Sequence, residues 1–387
     1  MISKQENDNW TRVGPGTPGG EMLRRYWWPV EFSEVLKGRP RKVKLLGEEF
    51  VLFRDGSGRV GMVEAQCAHR RAPLEYGRVE KEGLRCCYHG WVFDVDGKCL
   101  ETPCEDEGST LKDRVSLKAY KTQEAAGLVF AYVGAAPAPL LPSYDLLAQV
   151  SGTRYVYGNA NNCNWVQTAE NAADATHLNW LHAGPYPMYA GKRQEIEYFR
   201  RDYGIQYVSR TVGLPMDKSS ALIFPCHNRF ASARVEQGGA RQNMIWRVPA
   251  DDVTTLNFFI TLIPDASGRL DHHTETPPER ADRGPWVENI RGVYRPGDEA
   301  WWGVDSIEQD RMALEGQGEI YDRSTESLAP SDKGVALYRR ILKESLAAVA
   351  EGRDPMGIVR DPAQNTLIEF GTRLHALTRE LQVEGAP

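Results

Sequence analysis

Two Cys/His pairs constrain the first third of this 387-residue chain more than any other feature of its sequence. Cys67 stands two residues before His69, and Cys86 stands three residues before His89, with sixteen residues between the pairs. Strand-like segments flank both pairs, so each pair is expected on a loop at the tip of a hairpin. The chain has only eight histidines and seven cysteines, and their grouping at ligand spacing therefore predicts a metal site.

The arrangement of these four side chains bears on which metal they would hold. Two thiolates and two imidazoles suit either zinc or an iron–sulfur cluster. A zinc finger with this ligand set usually takes both cysteines from one element and both histidines from another, whereas here each loop supplies one of each. The mixed arrangement favours a two-iron cluster in which the thiolates hold one iron and the imidazoles the other. A structural zinc site remains the alternative.

A further cysteine makes a second pairing possible, because Cys87 stands two residues before His89. Adjacent side chains on an extended loop point in different directions, so Cys86 and Cys87 are not expected to face the same cluster. With "HGW" closing the second loop, the motif resembles that of a Rieske [2Fe–2S] domain. This resemblance implies two residues between the second cysteine and histidine, which leaves Cys87 as a packed bystander and gives the ligands Cys67, His69, Cys86 and His89.

The remaining sequence divides into two parts near residue 140. Residues 40–135 read as short strands, and the Pro- and Ala-rich "AAPAPLLPSYD" reads as a linker. Beyond it, an Ala-rich helical segment precedes strands over 195–265 and a strongly amphipathic helix. We expect a segment at 1–25 that packs on the catalytic domain, and a small all-β Rieske domain at 26–140. A larger α+β catalytic domain at 141–387 would combine an antiparallel sheet with helices that carry a second metal.

The candidate ligands of that second metal lie in "ENAADATHLNWLH", which we predict to be helical. On an ideal helix Asp174 and His177 lie about 60° apart, but His177 and His182 diverge by about 140°. The two histidines converge on one metal only if the helix is locally distorted, for example by a π-bulge. Two histidines and one carboxylate would then hold an iron and leave coordination positions open.

Together the two clusters resemble the oxygenase component of a Rieske non-haem iron oxygenase, in which D-x-x-H-x4-H follows the Rieske domain. The resemblance implies a mononuclear iron held by His177, His182 and an aspartate on a later helix. In "DSIEQDRMALEGQG" Asp310 fits best, and Asp305 and Glu308 are rivals on the same predicted helix.

The same resemblance gives catalytic roles to two side chains of the first helical segment. Asp174 is expected to link His89 of a neighbouring subunit to His177, and so to relay electrons across a subunit interface. A carboxylate in that place would also orient the imidazole of an iron ligand. Asn171, one turn earlier, is expected to support the site without binding the metal.

Within the family, "RVGPGTPGGEMLRRYWWPV" and "DRSTESLAPSD" resemble the phthalate-dioxygenase-like branch. This implies a homotrimer or stacked trimers, O2 as cosubstrate, and a separate NADH-dependent reductase that carries FMN and a plant-type [2Fe–2S] centre. The chain has no G-x-G-x-x-G motif after a predicted strand and no second set of four cysteines, so we expect its electrons to come from that reductase.

The resemblance further implies hydroxylation or cis-dihydroxylation of an aromatic carboxylate of the phthalate or benzoate kind. O- or N-demethylation by a monooxygenase is the alternative, and an electron carrier without oxygenase activity is a third hypothesis. An arginine would clamp the substrate carboxylate bidentately. Among Arg210, Arg229, Arg234 and Arg247, we prefer Arg210 and Arg247 because each alternates with apolar or aromatic neighbours.

The bulk composition excludes some classes of partner. The net charge of −6 argues against nucleic acid and anionic membranes as partners. No apolar run approaches the roughly 18 residues of a membrane span, and the polar start "MISKQENDNW" is not typical of a signal peptide. We therefore expect a cytoplasmic protein.

Overall fold

The computed structural model describes residues 2–214, 217–236, 239–275 and 306–370. Its helices are α1 Lys4–Thr11, α2 Pro18–Leu23, α3 Asp145–Ala148, α4 Trp165–Ala173, α5 Ser306–Gly316 and α6 Lys333–Ala350. Among the described residues no helix is both long and apolar enough to cross a bilayer.

Two small sheets form the N-terminal third of the molecule. The first is six-stranded, in the order β1-β10-β9-β4-β3-β2, and the second is four-stranded, in the order β5-β6-β7-β8. All their pairings are antiparallel. The strands are β1 Trp27–Phe32, β2 Arg41–Leu45, β3 Glu48–Arg54, β4 Val60–Glu64, β5 Arg78–Glu80, β6 Gly83–Arg85, β7 Val92–Phe93, β8 Cys99–Glu101, β9 Ala119–Ala125 and β10 Leu128–Tyr132.

The third sheet is eight-stranded, in the order β12-β13-β14-β15-β16-β17-β11-β18. It is antiparallel except for one parallel pairing, which joins the strand that comes first in the chain, β11, to the last, β18. Its strands are β11 Gly152–Asn161, β12 Gln194–Arg201, β13 Gly204–Thr211, β14 Asp217–Ile223, β15 His227–Glu236, β16 Gly239–Pro249, β17 Thr255–Ile263 and β18 Leu270–Glu275. The expected combination of a small all-β part and a larger α+β part is thus confirmed.

Two buried clusters hold these sheets together. The smaller one lies within the small sheets and includes Phe53, Trp91 and Phe93. The larger one joins the six-stranded sheet to the eight-stranded sheet, and the rings of Phe130 and Trp246 lie 5.7 Å apart at this junction. Because such burial stabilises by about 25 cal/mol per Å² of apolar surface, the shared core fixes the two parts against each other. The boundary near residue 140 remains a proposal, and it falls between the end of β10 and the start of α3.

The N-terminal segment packs on elements beyond residue 160. The Asn164 side chain donates hydrogen bonds to the Thr11 and Asp252 carbonyls at 2.8 and 2.7 Å. Asn7 donates to the Tyr321 carbonyl at 3.1 Å. The bounds of a segment at 1–25 that packs on the larger domain remain a proposal, which these contacts support.

Helix α4 is shorter than the sequence predicts, and it contains no π-bulge. The helix ends at Ala173, because the Asp174 side chain accepts hydrogen bonds from the Thr176 backbone N–H and hydroxyl at 2.8 and 2.5 Å. Such a side-chain bond competes with continued helix. A short 3-10 turn at Thr176–Asn179 follows, and this change of direction removes the divergence of about 140° that a continuous helix would impose on the two histidines.

A buried ion network anchors α4 to the C-terminal part of the chain. Glu170 accepts hydrogen bonds from Arg323 at 2.8–3.0 Å and from Arg339 at 2.7 Å. Arg339 also pairs with Glu326. Burial alone would raise the pKa of Glu170, but the two guanidinium groups hold the pKa below its usual range. A buried charge needs such partners, so the network fixes the helix that precedes the site.

Candidate metal centres and cavity

The two loops that carry the Cys/His pairs have the same backbone hydrogen-bond pattern. Cys67 N–H donates to the carbonyl five residues later at 2.8 Å, and its carbonyl accepts from Arg71 N–H at 3.0 Å. Cys86 repeats both bonds, to the Trp91 carbonyl at 2.8 Å and from Gly90 N–H at 3.1 Å. Arg71 and Gly90 both have positive φ, at 58° and 72°. The repeated loop therefore places Cys86, rather than Cys87, in the position that Cys67 occupies in the first loop.

The four proposed cluster ligands lie together, with their thiols inside and their imidazoles toward the surface. Cys67 and Cys86 are buried, whereas His69 is exposed and Cys87 is exposed. The His69 and His89 rings lie 4.5 Å apart, and His69 stacks on the Trp91 ring at 4.5 Å with an interplanar angle of 3°.

The ionisation of these side chains fits a bound cluster. Burial, with the neighbouring Cys86 thiol, raises the pKa of Cys67 to about 12. Two adjacent buried thiols become thiolates only where a cation compensates their charge, as cluster iron does. Partial burial, His69 and Arg70 lower the pKa of His89, which favours the neutral imidazole that binds metal.

The second centre brings together His177, His182 and Asp310, whose ligand atoms lie within 4.8 Å of one another. Asp310 Oδ1 lies 3.5 Å from His177 Nε2 and 3.3 Å from His182 Nε2. Two histidines and one carboxylate are the donor set of non-haem Fe(II) centres with open positions, so these residues fit a mononuclear iron. Glu308 is turned away and binds Arg311 at 2.9 Å through both carboxylate oxygens, and Asp305 lies outside the described residues.

Asp310 and His182 are oriented by side chains behind them. Asn171 donates from Nδ2 to Asp310 Oδ1 at 3.1 Å. The buried Gln309 places its Oε1 2.8 Å from His182 Nδ1, so that this nitrogen donates and Nε2 is left to bind metal. A supporting role was predicted from the sequence for Asn171 but not for Gln309, whose position directly before the proposed iron ligand Asp310 is its only sequence signal.

Replacing Gln309 with leucine should weaken Fe(II) binding by about 10–100-fold, because His182 loses the acceptor that fixes its tautomer and ring orientation. Anaerobic Fe(II) titration of the metal-depleted second centre measures the change. Gln309→Glu, which retains the acceptor, should bind nearly as well as the wild type. Equal affinity in the leucine variant would show that the contact at 2.8 Å does not orient the ligand.

Asp174 lies beside His177, the other histidine proposed to bind iron. Its Oδ2 is 3.7 Å from His177 Nδ1. Burial would raise the pKa of Asp174, but His177 and Thr176 outweigh it and hold the pKa below its usual range. At 3.7 Å the two atoms are beyond hydrogen-bond distance, so the ionised carboxylate acts on the imidazole through its charge, which favours a proton on the nitrogen that does not face Asp310. The relay to His89 of another subunit remains a proposal.

A cavity of about 270 Å³ opens in front of the second centre. One face of the eight-stranded sheet forms much of its wall, since side chains of one face recur every second residue. Along β16 the lining residues are Arg241, Asn243, Ile245 and Arg247. The described lining contains three cationic side chains, those two arginines and Lys218, against a single carboxylate, that of Asp310. The cavity therefore favours an anionic ligand.

The four candidate arginines differ in their position relative to the cavity. Arg247 lines the cavity, donates from Nη2 to Asn171 Oδ1 at 3.3 Å, and leaves its buried Nη1 without a hydrogen-bond partner among the described residues. Arg210 is exposed and does not line the cavity, so its proposed role is corrected. Arg229 binds Asp145 at 2.9 Å, and the side chain of Arg234 lies outside the described residues.

Most of the aromatic side chains that line the cavity were not predicted from the sequence. Tyr186 and Tyr189 follow His182 closely in sequence, and Tyr157 and Tyr207 reach the cavity from the sheet. Phe259 lines it as well, whereas Trp246 of the neighbouring strand is buried in the core. Which face of each strand meets the cavity depends on the sheet register, for which alternation alone gives no direction.

The chain is similar to known proteins over most of its length. Residues 26–121 match the Rieske [2Fe-2S] domain family. The chain is 35% identical to the 5,5'-dehydrodivanillate O-demethylase oxygenase subunit of Sphingobium sp. strain SYK-6, over 100% of this chain and 89% of that protein. It is 31% identical to the phthalate 4,5-dioxygenase oxygenase subunit of Pseudomonas putida, over 92% of this chain and 89% of that protein.

Among solved structures, the fold is similar to that of a caffeine-bound mutant of NdmA from Pseudomonas putida CBB5. The TM-score is 0.68 at 21% identity, over 87% of this chain and 94% of that one. Oxygenase components of this family work with separate electron-transfer partners. The Rieske domain and the oxygenase family together imply a Rieske cluster and a mononuclear iron. With the two full-length relatives above 30% identity, the chain belongs to the oxygenase components of the Rieske non-haem iron oxygenases, in the branch that contains phthalate dioxygenase.

Proposed function

We propose that this oxygenase component hydroxylates or cis-dihydroxylates an aromatic carboxylate, with electrons that a separate flavin and iron–sulfur reductase takes from NADH. The observation that carries the proposal is the buried guanidinium of Arg247 in the wall of the cavity that the proposed iron ligands share. Iron bound at this centre would activate O2 with electrons supplied through the Rieske cluster.

Arg247 is the proposed anchor for the substrate carboxylate. Burial lowers its pKa, yet a guanidinium stays protonated in proteins, so the site holds a positive charge with few counter-charges. Nη1 is buried and has no hydrogen-bond partner among the described residues. A substrate carboxylate would accept a hydrogen bond from this donor. Such a charge-assisted hydrogen bond contributes more binding free energy than one between neutral groups.

Asn171 connects that anchor to the proposed iron ligands. Its Oδ1 accepts from Arg247 and its Nδ2 donates to Asp310. One amide thus fixes the guanidinium and the carboxylate relative to each other, and a substrate held by Arg247 would be presented at a defined position beside the iron. Asn171 is in this proposal a positioning residue.

Asp174 is the proposed entry point for electrons from a neighbouring subunit in a homotrimer or in stacked trimers. Its carboxylate contacts His177 and retains an exposed side-chain fraction of 27%. The imidazole of His69 is exposed and that of His89 is partly exposed, so these ligands can approach another chain. Both observations support a contact between one subunit's His89 and the next subunit's Asp174.

O-demethylation is the second candidate reaction, because the relative that matches the whole chain is a demethylase oxygenase subunit. The two reactions make different demands on the substrate rather than on the residues that hold iron. Dihydroxylation requires two adjacent ring carbons beside the iron, and demethylation requires a methoxy carbon in the same place.

A product assay tests the proposal directly. The holoenzyme with a suitable reductase, NADH and O2 is offered benzoates, phthalates and methoxylated aryl carboxylates, each beside its methyl ester. We expect coupled O2 uptake with the free acids. A dihydrodiol would show dihydroxylation, and released formaldehyde would show demethylation, because a phenol can arise from either hydroxylation or demethylation.

Arg247→Met is the matched variant for the same assay. It should reduce kcat/KM for the acids by about 10²-fold or more, because a buried charge contact is lost, and it should leave the Rieske spectrum unchanged. Esters turned over as well as acids by the wild type would refute the carboxylate assignment.

A further inference from the structure

Lys218, on β14, is a second cationic group of the cavity that the proposed function does not use. Its Nζ lies 3.7 Å from the centre of the Tyr189 ring and 6.0 Å from that of Tyr186. Among the described residues it has no hydrogen-bonded or ionic partner, and burial lowers its pKa to about 8. A partly desolvated ammonium held against tyrosine rings is stabilised when an anion binds to it.

The sheet register places Lys218 far from Arg247 along the cavity. Ser220 pairs with Phe230, and Phe230 pairs with Asn243, so these three residues form one row across the sheet. Lys218 lies two residues from this row in one direction, and Arg247 lies four residues from it in the other. Six residues of strand correspond to about 20 Å between the two backbone positions.

This separation bears on the length of the ligand. Both side chains line the same cavity, from backbone positions six strand residues apart. The two carboxylates of a single benzene ring lie too close together to contact cations that are carried by such widely separated strand positions. Two linked rings with an acidic group at each end are better matched to the spacing.

We propose, on the basis of the proposed function, that Lys218 binds a second anionic group and that the cavity is built for a two-ring aromatic dianion, such as a biaryl or diaryl ether with acidic groups at both ends. Arg247 would hold the first acid near the iron ligands, and Lys218 would hold the second at the far end. Tyr189 would fix the ammonium through its ring face.

Calorimetric titration of the anaerobic holoenzyme tests this without turnover. The probes are biphenyl-4-carboxylate, biphenyl-4,4'-dicarboxylate, benzoate and terephthalate, and the proteins are the wild type, Lys218→Met, Lys218→Arg and Lys121→Met. Lys121 is an exposed lysine of β9, with a side-chain exposure of 75%, and its variant controls for the loss of one positive charge.

We expect the wild type to bind the biphenyl dicarboxylate about tenfold more tightly than the monocarboxylate, as a charge-assisted contact provides. Lys218→Met should abolish this gain without changing affinity for the monocarboxylate, and Lys218→Arg and Lys121→Met should retain it. Terephthalate should show no comparable gain over benzoate.

Two results would overturn the inference while the proposed function stands. One is equal weakening of both biphenyl acids by Lys218→Met, as a purely structural contact with Tyr189 would give. The other is a wild type that binds mono- and dicarboxylate alike. If no aromatic acid binds the wild type, the aromatic-carboxylate proposal fails together with this one.

Discussion

His177→Ala should abolish substrate oxidation while the visible spectrum of the Rieske cluster stays intact. Three side chains converge on the proposed iron position, so the variant retains two ligands. Replacing a residue that only orients a ligand is expected to reduce activity by at most about 100-fold, and the loss in this variant should be larger. Iron analysis should give about two rather than three irons per chain, because the two-iron cluster remains and the mononuclear iron is lost.

The matched control is His273→Ala, which removes an exposed histidine of β18 that stacks on Tyr155. Both activity and iron content should be unchanged in that variant. Oxidation that survived His177→Ala would refute the assignment of the second centre. About two irons per chain in the wild type itself would favour the electron-carrier hypothesis, since the Rieske cluster alone accounts for two.

The cluster loops could be predicted from sequence because each ligand pair is local. One residue separates cysteine from histidine in the first pair and two separate them in the second, and a short loop at the end of a strand leaves few ways to arrange them. What the spacing did not reveal is the repeated hydrogen-bond pattern of the two loops. That pattern depends on positive φ at Arg71 and Gly90, and a positive φ at an arginine has no sequence signature.

The second centre was harder to predict because its geometry depends on where a helix ends. The Ala-rich run from Trp165 carries no glycine or proline before Gly184, and propensity alone therefore extends the helix. The chain turns at Asp174 because its carboxylate binds Thr176. An aspartate two residues before a threonine is a common turn signal, but it is weak against a long alanine-rich background.

The two preferred arginines show the same limit for strands. Arg210 and Arg247 both alternate with apolar residues, yet only the second faces the cavity. On β13 the lining residue is Tyr207, an odd number of positions from Arg210, so the arginine belongs to the opposite face. Alternation shows that a strand has two different faces, but only the packing of the whole sheet determines which one meets the cavity.

Cys86→Ser should bleach the protein, and Cys87→Ser should leave it red-brown. A serine hydroxyl is a poor ligand for the soft thiophilic site of an iron–sulfur cluster, and Cys86 holds the buried position that matches Cys67 in the other loop. Cys87 is exposed, so its replacement should change the free energy of unfolding by less than about 0.5 kcal/mol. Visible absorption and acid-labile sulfide measure the outcome for both variants.

This pair of variants distinguishes three arrangements that the sequence leaves open. Bleaching by Cys87→Ser with colour retained in Cys86→Ser would move the ligand by one residue and break the equivalence of the loops. A colourless wild type with one tightly bound zinc would replace the cluster with a structural metal. The expected result is that colour is lost only in Cys86→Ser. It requires two buried thiolates that bind one iron, and the outward imidazoles of His69 and His89 would bind the other. In that arrangement the imidazole side is the one that a partner can approach, since Cys67 and Cys86 are buried in the smaller core cluster, whereas His69 is exposed.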